Sequence, residues 1–100
     1  MAEKITPSTG NVFEDLGFEK EEAENLKVRS SLMATIRTII DDEGLTQARA
    51  AELFGVTQPR ISDVVRGKIE LFSIDALVNM VAASGRQVDV SVAMPKDEAA

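Results

Sequence analysis

The chain has 100 residues, 44% of them hydrophobic, which suffices for one small domain with a single core. It contains no cysteine and no histidine, so disulfides and thiolate metal sites are excluded and the usual general base near neutral pH is missing; we expect no metal, no cofactor and no catalysis. Its net charge of −6 argues against nucleic-acid binding over the whole surface, and the lack of a long apolar run predicts a cytoplasmic protein without membrane contact.

The predicted elements begin after a polar lead-in, residues 1–10, which holds a proline and a glycine and is expected to be disordered. Residues 11–18, NVFEDLGF, form an apolar cluster that predicts one helical turn. A long helix is predicted from Lys20 to about Glu43, because apolar side chains recur there at spacings of three, four or seven. Gly44 is the expected end of this helix.

Three shorter helices are predicted behind the long one. Each follows a serine or threonine that can cap its first turn, and each ends at a glycine. The helices are therefore expected between Thr46 and Gly55, between Thr57 and Gly67, and between Ser73 and Gly85. A side chain at Gly55 is expected to block the close approach of the first two. The core-facing positions of these two helices and of the turn between them are predicted to be Ala50, Leu53, Val56, Ile61, Val64 and Val65.

The last predicted element is a β-strand over residues 87–93, QVDVSVA, where Val88, Val90 and Val92 alternate with polar residues. A lone strand leaves a row of unpaired backbone groups. We therefore predict that it pairs antiparallel with the same strand of a second copy, about a two-fold axis. The alternative for residues 87–93 is a frayed tail instead of a strand. Residues 94–100 are expected to be frayed. Residues 11–93 are thus predicted to form one domain.

The distribution of charge singles out residues 45–68, which contain four basic and two acidic side chains and so carry a positive net charge. Gln58, Ser62 and Arg66 recur there at a spacing of four. They therefore share one face of the helix predicted between Thr57 and Gly67, which is the third helix when the long one is counted as the first. An ordinary helical hairpin explains the apolar positions of this segment but not these polar ones. Glutamine can pair with adenine, and arginine with guanine or a phosphate. The face is therefore typical of a DNA-contacting surface.

Residues 45–68, LTQARAAELFGVTQPRISDVVRGK, resemble the helix-turn-helix of the phage-repressor-like, or XRE, family. The matching features are the LTQ opening, the AAELFG run, the Thr–Gln pair before the third helix and the ISDVVRGK ending. The resemblance extends from about Val12 to Val92. Within the family the chain is most similar to the antitoxins of RelE- and HigB-type toxin–antitoxin systems, which share the NVFEDLGF segment and the valine strand. It implies a mainly α, lambda-repressor-like domain of four to five helices with one C-terminal β-strand.

The resemblance also implies a function and a set of contacts. The third helix would enter the major groove of double-stranded DNA, as part of a dimeric repressor on a palindromic operator. The base readers would be Gln58, Arg60 and Ser62, and the backbone contacts would be Gln47, Thr57, Arg66 and Lys68. Asp63 is expected to pair with Arg60 or Arg66, or to accept from a cytosine amine.

Two roles for such a repressor remain open at the level of sequence. As an antitoxin it would control its own operon and bind a basic RelE/HigB-like toxin, to which the acidic stretch EDLGFEKEEAE, residues 14–24, is complementary in charge. A solvated helix start explains the same glutamates equally well. The alternative is a stand-alone XRE-type regulator with no toxin partner.

Overall fold

The computed structural model describes residues 11–94, which form five α-helices and one short 3-10 turn. The helices are α1 (Val12–Asp15), α2 (Lys20–Asp42), α3 (Gln47–Phe54), α4 (Gln58–Val65) and α5 (Ile74–Ala83), and the 3-10 turn is Ile69–Leu71. The predicted small helical domain is confirmed. The predicted lead-in, residues 1–10, and the predicted frayed tail beyond Met94 lie outside the described residues.

A buried asparagine joins α1 to the long helix. The Asn11 Oδ1 accepts hydrogen bonds from the backbone N–H groups of Phe13, at 2.9 Å, and Glu14, at 3.3 Å, and so caps α1. The Asn11 Nδ2 donates to the Glu24 carboxylate on α2 at 3.0 Å. The Phe13 and Phe18 rings then meet edge to face with their centroids 6.3 Å apart. These contacts hold α1 against α2, although α1 is too short to be stable alone.

Two of the three predicted threonine and serine caps form their hydrogen bonds. The Thr46 Oγ1 accepts from the Arg49 backbone N–H and the Ser73 Oγ from the Ala76 backbone N–H, both at 3.1 Å. Thr57 stands at the N-cap position of α4, but its side chain makes no capping bond.

The turn between α3 and α4 requires glycine for a reason other than the predicted one. A Cβ atom added to Gly55 would lie 3.6 Å from the Ala83 Cβ, which is an ordinary contact. The expectation that a side chain there would block the helices is therefore wrong. The φ angle of Gly55 is +70°, a left-handed conformation that costs an L-residue about 1–2 kcal/mol, so the backbone and not the available space selects glycine.

One continuous core fills the space between α2, α3, α4 and α5. Its buried side chains are Met33, Ile36, Ile39, Ile40, Ala50, Ala51, Phe54, Ile61, Val64, Phe72, Leu77, Met80 and Val81. Leu53 and Val56 are half-buried at its edge, as the spacing of apolar residues predicts in outline. The prediction for Val65 is wrong: α4 turns Ile61 and Val64 inward, which leaves Val65 at its flank with 42% of its surface exposed.

The predicted C-terminal strand is absent from the described residues. Residues 86–94 run without helix or strand after α5. Val88 is half-buried against the core, whereas Val90 is 84% and Val92 94% exposed. A β-strand is defined by a hydrogen-bonded ladder with a second strand, and no strand occurs within residues 11–94 to provide one.

None of the helices within residues 11–94 combines the length and the apolar character that crossing a membrane requires.

Candidate nucleic-acid interface

Helices α3 and α4 form a pair joined by three residues, and α4 is supported from behind by α2 and α3. Ile61 and Val64 are fully buried on the inner side of α4. The Arg37 Nη1 on α2 donates to the Val64 carbonyl at 3.4 Å, close to the end of α4. The inner side is thus occupied by the core, and the remaining sides of α4 are free to meet a partner.

The outer side of α4 is polar, as the spacing of four predicts. Gln58 and Arg66 are exposed and Ser62 is half-buried. The structure gives none of the three side chains a hydrogen bond or ion pair within residues 11–94. No group of the described residues occupies their donors and acceptors, which can therefore bind a ligand at little cost. An amide, a hydroxyl and a guanidinium on one helix face can meet both base edges and phosphates.

Arg60 differs from its neighbours because its side chain is already engaged. The guanidinium carbon lies 4.1 Å from the centroid of the Phe72 ring, which is a cation–π contact. The Arg60 Nη1 also donates to the Leu71 carbonyl at 3.1 Å. The predicted ion pair of Asp63 with Arg60 or Arg66 is absent from the described residues. Arg60 contacts the Phe72 ring and the Leu71 carbonyl in place of the Asp63 carboxylate.

The four predicted backbone contacts lie at helix ends. Gln47 is the first residue of α3, Thr57 is the N-cap of α4, Arg66 is the C-cap of α4, and Lys68 lies two residues after Arg66. Gln47, Thr57 and Arg66 are exposed and Lys68 is half-buried. Helix N-termini carry free N–H groups and a partial positive charge, which suit a phosphate.

The hydroxyl of Thr57 makes no hydrogen bond in the part of the chain that the structure describes, and the reason is local. An N-cap side chain normally accepts from the backbone N–H two or three residues further on. Pro59 has no N–H, and the Arg60 N–H donates to the Thr57 carbonyl at 3.1 Å instead. The Thr57 hydroxyl is therefore free to donate to a phosphate oxygen.

Sequence reasoning counted Arg49 in the positive segment but did not place it in the site. Arg49 lies in the first turn of α3, two residues after Gln47, and is exposed. Its Nη1 is 3.8 Å from the Glu52 carboxylate, and both side chains are mostly exposed. Such a surface pair is worth little, so Arg49 can turn to a phosphate. Its position in the first turn of a helix that follows a threonine cap was the available signal.

Within residues 11–94 no group of three or more acidic side chains has the arrangement of a metal site.

Two short helices joined by a tight turn, with one helix buried on one side and polar on the other, define a helix-turn-helix protein. A family model described as a helix-turn-helix domain matches residues 12–93, and the chain belongs to this family. A solved structure described as a "Putative XRE Family Transcriptional Regulator" is similar in fold, with a TM-score of 0.67 and 28% sequence identity over 75% of this chain and 84% of that one. No curated protein matches the chain. The predicted helix-turn-helix is thereby confirmed, while the toxin–antitoxin link stays a prediction.

Proposed function

We propose that the protein is a transcriptional regulator that binds a specific sequence of double-stranded DNA through α4. The observation that carries this proposal is the polar outer side of α4, whose Gln58, Ser62 and Arg66 have no partner within the described residues. The inner side of the same helix is anchored in the core by Ile61 and Val64. A helix held in this way is a rigid support, and rigid supports position base-reading side chains accurately.

The contacts divide by position along the helix pair. Near its N-terminus α4 offers Gln58, Arg60 and Ser62 to base edges in the major groove, where each good bidentate pair discriminates by about 1–3 kcal/mol. The backbone contacts are Gln47, Thr57, Arg66 and Lys68, and they set the register of the helix on the duplex without reading sequence.

The overall negative charge does not oppose this function, because phosphates respond to the local field. Residues 45–68 carry four basic and two acidic groups, whereas residues 11–24 carry six acidic groups and one basic group. Charges further apart than about 8–10 Å are largely screened at physiological ionic strength. An acidic group that lies further than this from a contacted phosphate therefore does little to weaken its binding.

The repressor acts as a two-fold dimer, in this proposal, with residues 87–93 of two copies paired antiparallel. Support comes from the C-terminal segment: Val88 fixes it to the core, while Val90 and Val92 are exposed. The segment borders an open groove of about 290 Å³ between α2 and α5, whose apolar wall includes Val28 and Val78. A second copy would cover these side chains. The two α4 helices would then meet half-sites about 34 Å apart on a palindromic operator.

A finer proposal concerns the partner. Val12, Leu16 and Phe18 are exposed on and beside α1, among the acidic side chains of residues 14–24. Exposed apolar side chains among acidic ones are complementary to a basic protein, and an RNA-cleaving toxin is basic because it binds RNA. We therefore propose an antitoxin that controls its own operon. The stand-alone regulator without a toxin is the alternative, and the exposed patch favours the antitoxin.

A gel mobility shift with the DNA directly upstream of its own gene tests the DNA-binding function. The duplex should be retarded, a scrambled duplex of equal composition should be retarded only at much higher protein concentration, and the affinity should fall steeply as salt is raised. Equal affinity for both duplexes at every salt concentration would refute sequence-specific regulation.

Co-purification tests the toxin partner. The protein is expressed together with the product of the adjacent reading frame, both as it stands and as the Leu16→Ser variant. An antitoxin should retain a small basic protein, and the variant should retain less of it. If no basic protein co-purifies with the unaltered chain, the stand-alone regulator is the correct reading.

A further inference from the structure

The segment between α4 and α5 is tied to the long helix by one arginine. The Arg29 Nη1 on α2 donates to the Ile69 carbonyl at 3.2 Å and to the Phe72 carbonyl at 3.3 Å. The Arg29 Nε donates to the Asn25 Oδ1, one helical turn earlier, at 2.6 Å. The guanidinium is thus held in place by Asn25 and in turn holds both ends of residues 69–72.

The same segment holds Arg60 of α4. Phe72 supplies the ring beneath the guanidinium, at 4.1 Å, and Leu71 supplies the carbonyl that accepts from Nη1, at 3.1 Å. Phe72 is only 2% exposed, so its ring belongs to the core and cannot move freely. A fixed ring and a fixed carbonyl define the plane and the rotation of the Arg60 guanidinium.

We propose that residues 69–72, fixed by Arg29, orient Arg60 in the free protein so that it reads a guanine; this rests on the proposed DNA-binding function. A guanidinium has five N–H donors in one plane, and the bond to Leu71 uses one of them. The remaining donors form a fork that matches the O6 and N7 acceptors of guanine. Arg29 and Phe72 are then positioning residues, which act on the base through Arg60.

Guanine is favoured over a phosphate because of where Arg60 lies. It is the third residue of α4, between Gln58 and Ser62, and the first residues of a recognition helix face base edges. The cations placed to meet phosphates, Arg66 and Lys68, lie at and beyond the other end of α4. A planar, prealigned fork also has its greatest advantage with a planar pair of acceptors.

The expected effect of prealignment is modest and measurable. Immobilising a flexible side chain on binding costs roughly 2- to 10-fold in affinity, and a side chain that is already immobile avoids that loss. Phe72→Leu keeps an apolar group in the core and removes the ring. It should therefore weaken binding to the operator duplex about 2- to 10-fold without changing which phosphates are contacted.

A double-mutant cycle on the duplex retained from the upstream DNA tests the proposal, with Arg60→Ala, Phe72→Leu and the two combined. Phe72→Leu should weaken binding when Arg60 is present and have no further effect when Arg60 is alanine. Arg60→Ala should lose the preference for one G·C pair among single-base variants of the duplex. Additive losses, or an equal loss on every variant, would overturn the proposal while leaving DNA binding intact. If the unaltered protein binds no duplex, the proposed function fails and this inference with it.

A measurement on the unaltered protein avoids disturbing the core. In a proton NMR spectrum, a proton above an aromatic ring is shifted upfield. The Arg60 side-chain signals should therefore lie upfield of those of the exposed Arg66. The signals that disappear in the Arg60→Lys variant are assigned to Arg60. Arg29→Lys keeps the charge of Arg29 but loses the Nε donor that bonds Asn25 and the planar guanidinium, so it holds the two carbonyls less rigidly. It should move the Arg60 signals toward those of Arg66. Arg60 signals that coincide with those of Arg66 in the unaltered protein would overturn the proposal.

Discussion

Replacing Val90 and Val92 together by threonine is expected to weaken the proposed dimer without altering the monomer fold. Both side chains are mostly exposed in the single chain, at 84% and 94%, so the core does not depend on them. Threonine keeps the β-branched shape that a strand favours and exchanges one methyl group for a hydroxyl. Each lost methyl group removes about 0.8 kcal/mol of apolar burial, and a symmetric dimer loses four of them, or about 3 kcal/mol.

A loss of that size raises the dimer dissociation constant roughly 200-fold. Sedimentation velocity over a series of protein concentrations measures it. The matched control is Val12→Thr, which changes a valine that is 61% exposed on α1, far along the chain from the C-terminal segment. The control should dimerise as the unaltered protein does. If the unaltered protein is a monomer at micromolar concentration, or if the double variant dimerises equally well, the C-terminal segment is not the dimer contact.

Four further substitutions test the roles given to α4. Gln58→Ala should cost about 1–3 kcal/mol at chiefly one base pair, so a panel of single-base operator variants should show a lost preference there; a uniform loss would contradict base reading. Arg66→Ala should weaken binding to operator and scrambled duplexes by the same factor, because a phosphate contact carries no sequence information; a loss confined to the operator would contradict this role. Ile61→Ala should lower the free energy of unfolding by about 2–5 kcal/mol in urea denaturation, whereas Val65→Ala at the exposed flank should change it by less than about 1 kcal/mol. Equal losses for the last two would mean that α4 is not seated on the core through Ile61.

The helices could be predicted from sequence because their signals are local. An apolar period and a glycine at the end, together with a threonine or serine at the start of α3, α4 and α5, placed the ends of α2, α3, α4 and α5 within one residue of those observed. The failures were local too. Pro59 left the Arg60 N–H as the one donor for a cap at Thr57, and this N–H bonds the Thr57 carbonyl instead; the end of α4 left Val65 outside the core.

The candidate site could be predicted only in part, because some of its contacts join distant residues. The spacing of Gln58, Ser62 and Arg66 gave the polar side of α4 directly. No local pattern links Arg60 to Phe72, or Arg29 on α2 to the 3-10 turn some forty residues later. The sequence instead suggested an ion pair with Asp63, which is only three residues from Arg60. A β-ladder for residues 87–93 requires a strand from another molecule, so its absence from the single chain leaves the pairing a proposal.

The salt dependence of DNA binding connects the charge of one helix pair to the number of copies that bind. Because Arg60 is assigned to a base, one copy can neutralise at most three phosphates with Arg49, Arg66 and Lys68, which limits its slope of log affinity against log salt to about −2.7. Two copies on one operator can reach about −5.4. The measured slope on the operator should therefore be steeper than about −2.7, and Arg66→Ala should make it shallower by about 1.8, since both copies lose one contact. The Val90→Thr and Val92→Thr double variant should approach the limit for one copy at low protein concentration. The slope is measured from titrations that reach saturation of the operator at each salt concentration. If the slope of the unaltered protein stays within the limit for one copy, a single helix-turn-helix is the binding unit. The two-fold arrangement would then play no part in recognition.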